Sequence, residues 1–330
     1  MKKISVVVPL YNEEGNVKEL YSRLKKIFDS ELSIFDREFI FVNDGSVDKT
    51  KEILIACAAL DSTVEIISFT RNFGQHPAML AGLQQARGDY VVLMDGDLQN
   101  PPEEIPKLVE KIEEGYDIVY GTRDKRHDPL LRRVGSWIFH RLLRMLVGLK
   151  KADVGTPLRI ISCRVVQELL KIPGGFRYIA VTMSWLGFNS SYVVTRHNAR
   201  KFGVSRYSYW RCFKIIVELV MSFSPRILRL ITAFGLLLAV GGFFLGGYYL
   251  LVKLLYDYAL PGYTSIVVLI TFFFGVLFIF LGIISEYIAK LFYASLGRPY
   301  YVVDKVITYA EPKKTVFIDK HPNQEYHHGA

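Results

Sequence analysis

Cysteine is scarce. Cys57, Cys163 and Cys212 are the only three in 330 residues, odd in number and widely scattered. That argues against both a disulfide frame and a thiolate metal site. The glycine loops that grip phosphates are missing as well. No G-x-x-x-x-G-K-[ST] occurs, and no G-x-G-x-x-G follows the first predicted strand. No H-E-x-x-H places two histidines on one helical face, so His76 and His197 read as hydrogen-bonded scaffold residues. Charge is absent from Leu230–Val252 and again from Thr264–Ser285. A helix needs about 20 apolar residues to cross a hydrocarbon core of roughly 30 Å, and each run is that long. No secretory signal opens the chain, because MKKISVVVPLYNEEG breaks at Pro9 and soon turns acidic.

What charge there is sums to +9. An excess of that size suits nucleic acid, an anionic membrane or a phosphorylated substrate, and its placement discriminates. Arg226 and Arg229 precede the first uncharged run; Lys290, Arg298, Lys305, Lys313, Lys314 and Lys320 follow the second. The positive-inside rule then puts both termini in the cytoplasm with a small external loop at 253–263. Between Lys125 and Lys151, Arg132, Arg133, Arg141 and Arg144 interleave with Trp137, Leu142, Leu143 and Leu146. On a helix this makes a basic face and an apolar face, the pattern of a segment lying in a membrane interface. Nucleic acid is not the expected partner. The expected division is a catalytic-type domain at 1–226, with interfacial helices near 130–150 and 206–226. Two spans follow at 227–290 (about 228–252 and 264–288), then a cytoplasmic tail at 291–330.

The first part of the chain alternates strands and helices. Strands are predicted at Ile4–Leu10, Glu38–Val42, Val64–Phe69, Tyr90–Met94 and Asp117–Tyr120. Helices are predicted at Glu13–Phe28, Asp48–Leu60 (with Asp48 as its cap), Pro77–Ala86 and Pro102–Glu114. That order specifies an α/β fold, a Rossmann-like and mostly parallel sheet covered on both faces. Such sheets bind ligands beyond the carboxyl ends of their strands. The polar residues cluster there. Pro9, Tyr11 and Glu13 follow the first strand, Asn43 and Asp44 end the second, Arg71 follows the third, and Asp95 and Asp97 follow the fourth.

Two carboxylates one residue apart repel unless a cation lies between them. Hard oxygen donors select Mg²⁺ or Mn²⁺, with substrate phosphate and water completing the shell. The expected role is Lewis-acid neutralisation of a diphosphate.

PLYNEE at Pro9–Glu14, NDGSVDKT at Asn43–Thr50 and DGDLQNPPE at Asp95–Glu103 together resemble a family 2 glycosyltransferase of the GT-A fold. RNFGQHPAMLAGLQQARGD at Arg71–Asp89 and RHNARKFGVSRYS at Arg196–Ser208 resemble the subgroup acting on polyprenyl phosphates, which includes dolichol-phosphate mannose synthases. With SEYIAKLFYASLGRPYYVV beyond the second span, the resemblance covers nearly the whole chain. The two-span arrangement is most similar to bactoprenol glucosyltransferases and related aminoarabinose transferases. Three positions depart from the common pattern: Asn43 replaces an Asp, Arg206 stands where Lys is common, and DVGTPLR at Asp153–Arg159 puts Pro157 where many relatives have an acid.

The resemblance implies inverting transfer of a sugar from a nucleoside diphosphate to a polyprenyl phosphate in a bacterial-type inner membrane. The acceptor phosphate, with a second pKa of about 6, is already an anion at neutral pH, so positioning and electrostatics matter more than a strong base. The implied metal ligands are Asp97 first, then Asp95 with Gln99 nearby. Pro9, Tyr11, Glu13, Asp44, Arg71 and Asp95 would line the nucleotide pocket. Asp153 would orient a sugar hydroxyl or act as a weak base. Arg200, Ser205 and Arg206 would hold the acceptor phosphate, guanidinium groups being suited to bidentate phosphate contacts. UDP-glucose is the first expectation for the donor, ahead of GDP-mannose and UDP-aminoarabinose types. A processive polysaccharide synthase is disfavoured by the missing Q-x-x-R-W motif, and a non-catalytic nucleotide-sugar-binding protein by the intact acidic pair. The G-x-x-x-G spacing from Gly242 to Gly246 allows close helix packing within the chain or in a homo-oligomer.

Overall fold

The computed structural model describes residues 1–123, 157–172, 179–198, 262–296 and 299–308, with isolated positions between 233 and 255. The described residues up to 198, with 299–308, form one compact unit; those from 233 to 296 form a second.

The first unit is built on β1 (Lys3–Leu10), β2 (Asp36–Asn43), β3 (Val64–Phe69) and β4 (Tyr90–Leu93). β1 pairs in parallel with both β2 and β4, and β2 pairs in parallel with β3. Side chains alternate across these strands and fill two separate cores. Ile4, Val6, Val8, Phe39, Phe41 and Val92 face one side. There they meet α1 (Val17–Ser30), α2 (Thr50–Leu60) and α4 (Ile105–Glu113). Val7, Ile40, Val42, Ile67 and Leu93 face the other side, against α3 (Gln75–Gln85), α5 (Cys163–Leu170) and α6 (Ile179–Leu186). Packing of α3 is close enough that a Cβ on Gly82 would sit 2.2 Å from Val7 Cγ1.

The predicted mostly parallel, doubly covered α/β sheet is present, and it is larger than the sequence reading made it. Among the described residues its order is β7-β5-β6-β4-β1-β2-β3-β8. β5 (Ile118–Arg123) does not follow β4 in space. β6 (Arg159–Ser162) lies between them, antiparallel to both. β7 (Ser190–Thr195) adds in parallel to β5. Residues 291–330 were read as a tail, yet within them β8 (Val303–Thr308) closes the far edge of the sheet, antiparallel to β3.

Two helix starts differ from the sequence reading for one reason. α1 begins at Val17 rather than Glu13, and α2 at Thr50 rather than Asp48. The intervening residues are used to stitch two loops together. The backbone N–H groups of Asn12, Glu13 and Glu14 donate to Ser46 Oγ, Thr50 Oγ1 and Asp48 Oδ2 at 3.0, 2.9 and 3.1 Å. Asp48 also accepts from the Thr50 N–H at 3.0 Å, so it serves the α2 terminus from one residue further out than a standard cap.

In the second unit, α7 (Tyr263–Ser295) runs for 33 residues, about 50 Å at 1.5 Å per residue. Its stretch Phe272–Ala289 is long and apolar enough to cross a membrane, the one such helix among the described residues. Residues 233–238 of the first uncharged run are helical. Phe234 meets Phe280 of α7 edge to face, with ring centroids 6.1 Å apart. The basic segment Lys125–Lys151, Asp153, Arg200, Ser205, Arg206, both predicted interfacial helices and residues 309–330 lie outside the described residues.

Candidate active site

The carboxyl ends of β1, β2, β3 and β4 meet at one end of the sheet, and their loops bond to one another. Asp44, directly after β2, is buried. Its Oδ1 accepts the Phe73 N–H at 2.7 Å, and its Oδ2 accepts the Gly74 N–H at 2.9 Å and Asn72 Nδ2 at 3.0 Å. Burial pushes its pKa up, against the opposing pull of the two backbone N–H groups. Asp44 therefore clamps the loop after β3, the loop that carries Arg71. The Arg71 guanidinium lies 4.4 Å from the centroid of the Phe73 ring, a cation–π contact that sets its direction. Gly45 makes the junction of these loops sterically possible. Its φ is +66°, and a Cβ there would fall 2.3 Å from the Arg71 carbonyl carbon.

After β1, Tyr11 is exposed at 42% and Asn12 takes the left-handed conformation at φ 56°. Glu13 accepts from Asn16 Nδ2 at 2.6 Å. Asn43, where the resemblance expects Asp, uses its side-chain oxygen to accept the Ser46 N–H at 3.1 Å. An amide oxygen suffices for that turn bond, so the substitution keeps its geometry.

The acidic pair follows β4. Asp95 is half-buried, and Gln75 at the start of α3 donates its side-chain amide to Asp95 Oδ1. Asp97 is only 6% exposed, and its Oδ1 accepts the Gln99 N–H at 3.1 Å. Leu98 between them adopts φ 58°, which turns the chain back at this point. Beneath the pair lies Arg159 at the start of β6, paired in register with Leu93 on one side and Tyr120 on the other. Burial pulls its pKa down while Tyr120 and Asp95 pull it back up, so a buried cation faces the first carboxylate. His76 is held at a pKa of about 4 by burial and by the charge of Arg159. It is neutral at physiological pH.

One contact crosses to the segment from which the acceptor-binding residues were expected. The Asn198 N–H donates to the Gln99 carbonyl at 2.8 Å, just beyond β7. Close by, Arg196 Nε stands 3.9 Å from buried Glu104 Oε1. Arg196 and Asn198 thus lie against the loop of Asp97 and the residues that follow it. Tyr11, Glu13, Asp44, Arg71, Asp95, Asp97 and Gln99 stand on the strand-end loops, and Pro9 is the last residue but one of β1. Gln75, Asn198 and Glu104 were missed by the sequence reading. Gln75 and Asn198 lay within the segments Arg71–Asp89 and Arg196–Ser208 quoted for the resemblance, but neither was singled out.

Comparisons with known proteins bear on this end of the sheet. Residues 5–170 match the model described as "Glycosyl transferase family 2". "Uncharacterized glycosyltransferase YkcC" of Bacillus subtilis is 34% identical over 96% of this chain and 97% of its own length. "Undecaprenyl-phosphate 4-deoxy-4-formamido-L-arabinose transferase" of Photorhabdus laumondii is 33% identical over 93% of this chain and 95% of its own. The protein of that name from Salmonella choleraesuis is 32% identical over 97% of each chain. Among solved structures, glucosyl-3-phosphoglycerate synthase from Mycobacterium tuberculosis, in complex with Mn²⁺, UDP and glucosyl-3-phosphoglycerate, superposes with a TM-score of 0.50. It is 21% identical and covers 67% of this chain and 78% of that one, a likeness of fold. The matched segment reaches from β1 to α5 and includes the loops after β1, β2, β3 and β4: the chain belongs to glycosyl transferase family 2.

Proposed function

We propose that this chain transfers a sugar from a nucleoside diphosphate to undecaprenyl phosphate at the cytoplasmic face of a bacterial-type inner membrane, with inversion at the anomeric carbon. The observation that carries the reading is the 2.8 Å bond from the Asn198 N–H to the Gln99 carbonyl. It holds Asn198 beside the acidic loop, and from there Arg200, Ser205 and Arg206 would reach the acceptor phosphate. Relatives that align over 93% and 97% of the chain carry an undecaprenyl-phosphate transferase name. α7 and the uncharged run before it supply what a lipid acceptor requires of its enzyme.

The donor preference is revised. The sequence reading put UDP-glucose first, whereas the full-length relatives are named for 4-deoxy-4-formamido-L-arabinose. A donor of the UDP-aminoarabinose type is therefore placed ahead of UDP-glucose and GDP-mannose.

Asp95 and Asp97 present hard oxygen atoms at the strand end, and among the described residues no group of three His, Cys, Asp or Glu surrounds a metal position. That donor set fits Mg²⁺ or Mn²⁺ bound through two carboxylates, with Gln99 nearby, and completed by diphosphate oxygens and water. Such an ion neutralises charge on the departing diphosphate. Arg71, steered by Phe73, would add a second cation on the nucleotide side. Tyr11 offers an exposed ring to the base beside Pro9 and Glu13. Asp153 would orient a sugar hydroxyl. Arg200, Ser205 and Arg206 would fix the acceptor phosphate. A phosphate oxygen then attacks the anomeric carbon from the face opposite the diphosphate, the bond to the diphosphate breaks, and the nucleoside diphosphate leaves. No proton need be removed from the acceptor, already an anion.

The test uses the purified full-length protein in detergent with undecaprenyl phosphate, Mg²⁺ or Mn²⁺, and labelled donors in parallel. Lipid-extractable label from UDP-4-deoxy-4-formamido-L-arabinose, abolished by a chelator, is the expected result. Label from UDP-glucose alone would restore the first sequence expectation. Nucleotide binding without lipid product from any donor would sink the reading.

A further inference from the structure

Ten residues that follow the membrane-type helix return to the nucleotide end of the sheet. β8 closes the edge beside β3, and just before it Tyr301 is buried at 8% exposure. The ring of Tyr301 stacks on Phe69, the last residue of β3, with centroids 4.8 Å apart and planes 15° apart. Its hydroxyl donates to Gln84 Oε1 near the end of α3. The Val302 carbonyl accepts the Thr70 N–H at 3.1 Å. Phe69 in turn meets Phe73 edge to face at 5.7 Å, and Phe73 carries Arg71 on its own ring. The β3–α3 loop, residues 70–74, is therefore gripped on three sides. Asp44 holds it from β2, Gln75 ties its far end to Asp95, and Tyr301 braces both its first residues and the helix that follows.

From this arrangement we propose that Tyr301 is a positioning residue for the donor site. The segment returning from the membrane helix fixes the loop of Arg71 and Gln75, and through it the orientation of the groups that meet the donor diphosphate. The inference deepens the proposed function and rests on the donor binding at these loops. Its physical basis is that stacked aromatic rings hold a preferred relative geometry, so the Tyr301–Phe69 stack resists displacement of the loop that follows Phe69. Loops that place charged groups lose effectiveness when displaced by even about 1 Å.

Three variants of the full-length protein test it: Tyr301→Leu, Tyr301→Phe and Asp304→Ala. The last removes only the 3.2 Å ion pair of β8 with Lys51 and serves as a control for loosening the strand. Hydrogen–deuterium exchange reports the loop directly and needs neither donor nor acceptor. Tyr301→Leu is expected to speed exchange in the peptide covering Thr70–Gln75 by about tenfold while β1 and β2 keep wild-type rates. Where the enzyme turns over, the donor KM is expected to rise five- to tenfold, with kcat and the acceptor KM within twofold. Tyr301→Phe, which keeps the stack, should restore most of both. Unchanged exchange at 70–75 in Tyr301→Leu overturns the inference, and so does equal loosening of the whole sheet in Tyr301→Leu and Asp304→Ala. If wild-type protein makes no lipid product, the proposed function fails while the exchange result still decides the role of Tyr301 in holding the loop.

Discussion

At the amino ends of β1, β2 and β3 buried charges satisfy one another, whereas at the carboxyl ends they are directed at loops and neighbouring backbone. Glu38 and Glu65 are both almost fully buried at the first end. Arg87 bridges them, with Nε 3.1 Å from Glu38 and Nη2 2.6 Å from Glu65. Ser5 Oγ donates to Glu38 at 2.6 Å and accepts the Gly88 N–H at 2.9 Å. Burial pushes the pKa of Glu38 up, but Ser5, the Arg87 N–H and the charges of Lys3 and Arg87 outweigh it and hold it low. At the other end Asp44 stays raised, because its burial outweighs the bonds from the Phe73 and Gly74 N–H groups. Both ends bury carboxylates, but the second carries them on the loops proposed to hold the donor. Burial of charge alone does not mark a site; the partners distinguish the two.

The comparison can be broken most sharply at Asp97. Asp97→Asn should lower turnover on the order of 10³-fold, since several kcal/mol of leaving-group stabilisation would be lost. Its melting temperature should stay within a few degrees of wild type, read by scanning calorimetry. Arg87→Ala should do the reverse. Leaving two buried carboxylates without their common partner should cost about 2 kcal/mol in a denaturant titration, discounted for the solvent exposure of Arg87, with KM and kcat within twofold. Asp44→Asn should raise the donor KM about tenfold, equivalent to 1.4 kcal/mol, by freeing the loop of Arg71. Steady-state kinetics would show whether kcat moves instead, which would place Asp44 in the chemical step.

A smaller effect concerns pH. The folded-state pKa of Glu38 is lowered, so its contribution to stability is present above the unfolded value of 4.5 and fades as pH falls through the folded value. Glu38→Gln should therefore destabilise the protein by about 1 kcal/mol at pH 7, and the difference should vanish in strong acid. Burial raises Glu65, with Glu38 adding to the rise, so its charged form is disfavoured on folding and stability from it is lost as pH rises through the folded value. Glu65→Gln should accordingly cost less at pH 7 than Glu38→Gln. Equal losses for the two variants across the range would contradict the assigned directions.

Much of this was legible in the sequence. Runs such as ISVVVPL and VEIISF are buried on both faces and so are mostly apolar, broken only by Ser5, Glu65 and Ser68, which makes a parallel strand easy to recognise. β8 was not legible. VDKVIT is short and half polar, as suits an edge strand, and its partner β3 lies more than 200 residues earlier. Nor could the strand sequence reveal that β6 would insert between β4 and β5, because order along the chain does not fix order in a sheet. At the site, residues that end strands were found because their polarity breaks an apolar run. Gln75 and Tyr301 lie within segments quoted for the resemblance, but their contacts are with distant elements, and residue type alone does not reveal such a contact.

The most direct test of the account is the rate of lipid-linked sugar formation by wild type and Asp97→Asn, measured beside their melting curves. The account predicts label in the undecaprenyl phosphate fraction for wild type, its near-complete loss in Asp97→Asn, and superimposable melting of the two proteins. Full transfer activity in Asp97→Asn, with unaltered melting, would contradict the assignment of the chemistry to this end of the sheet.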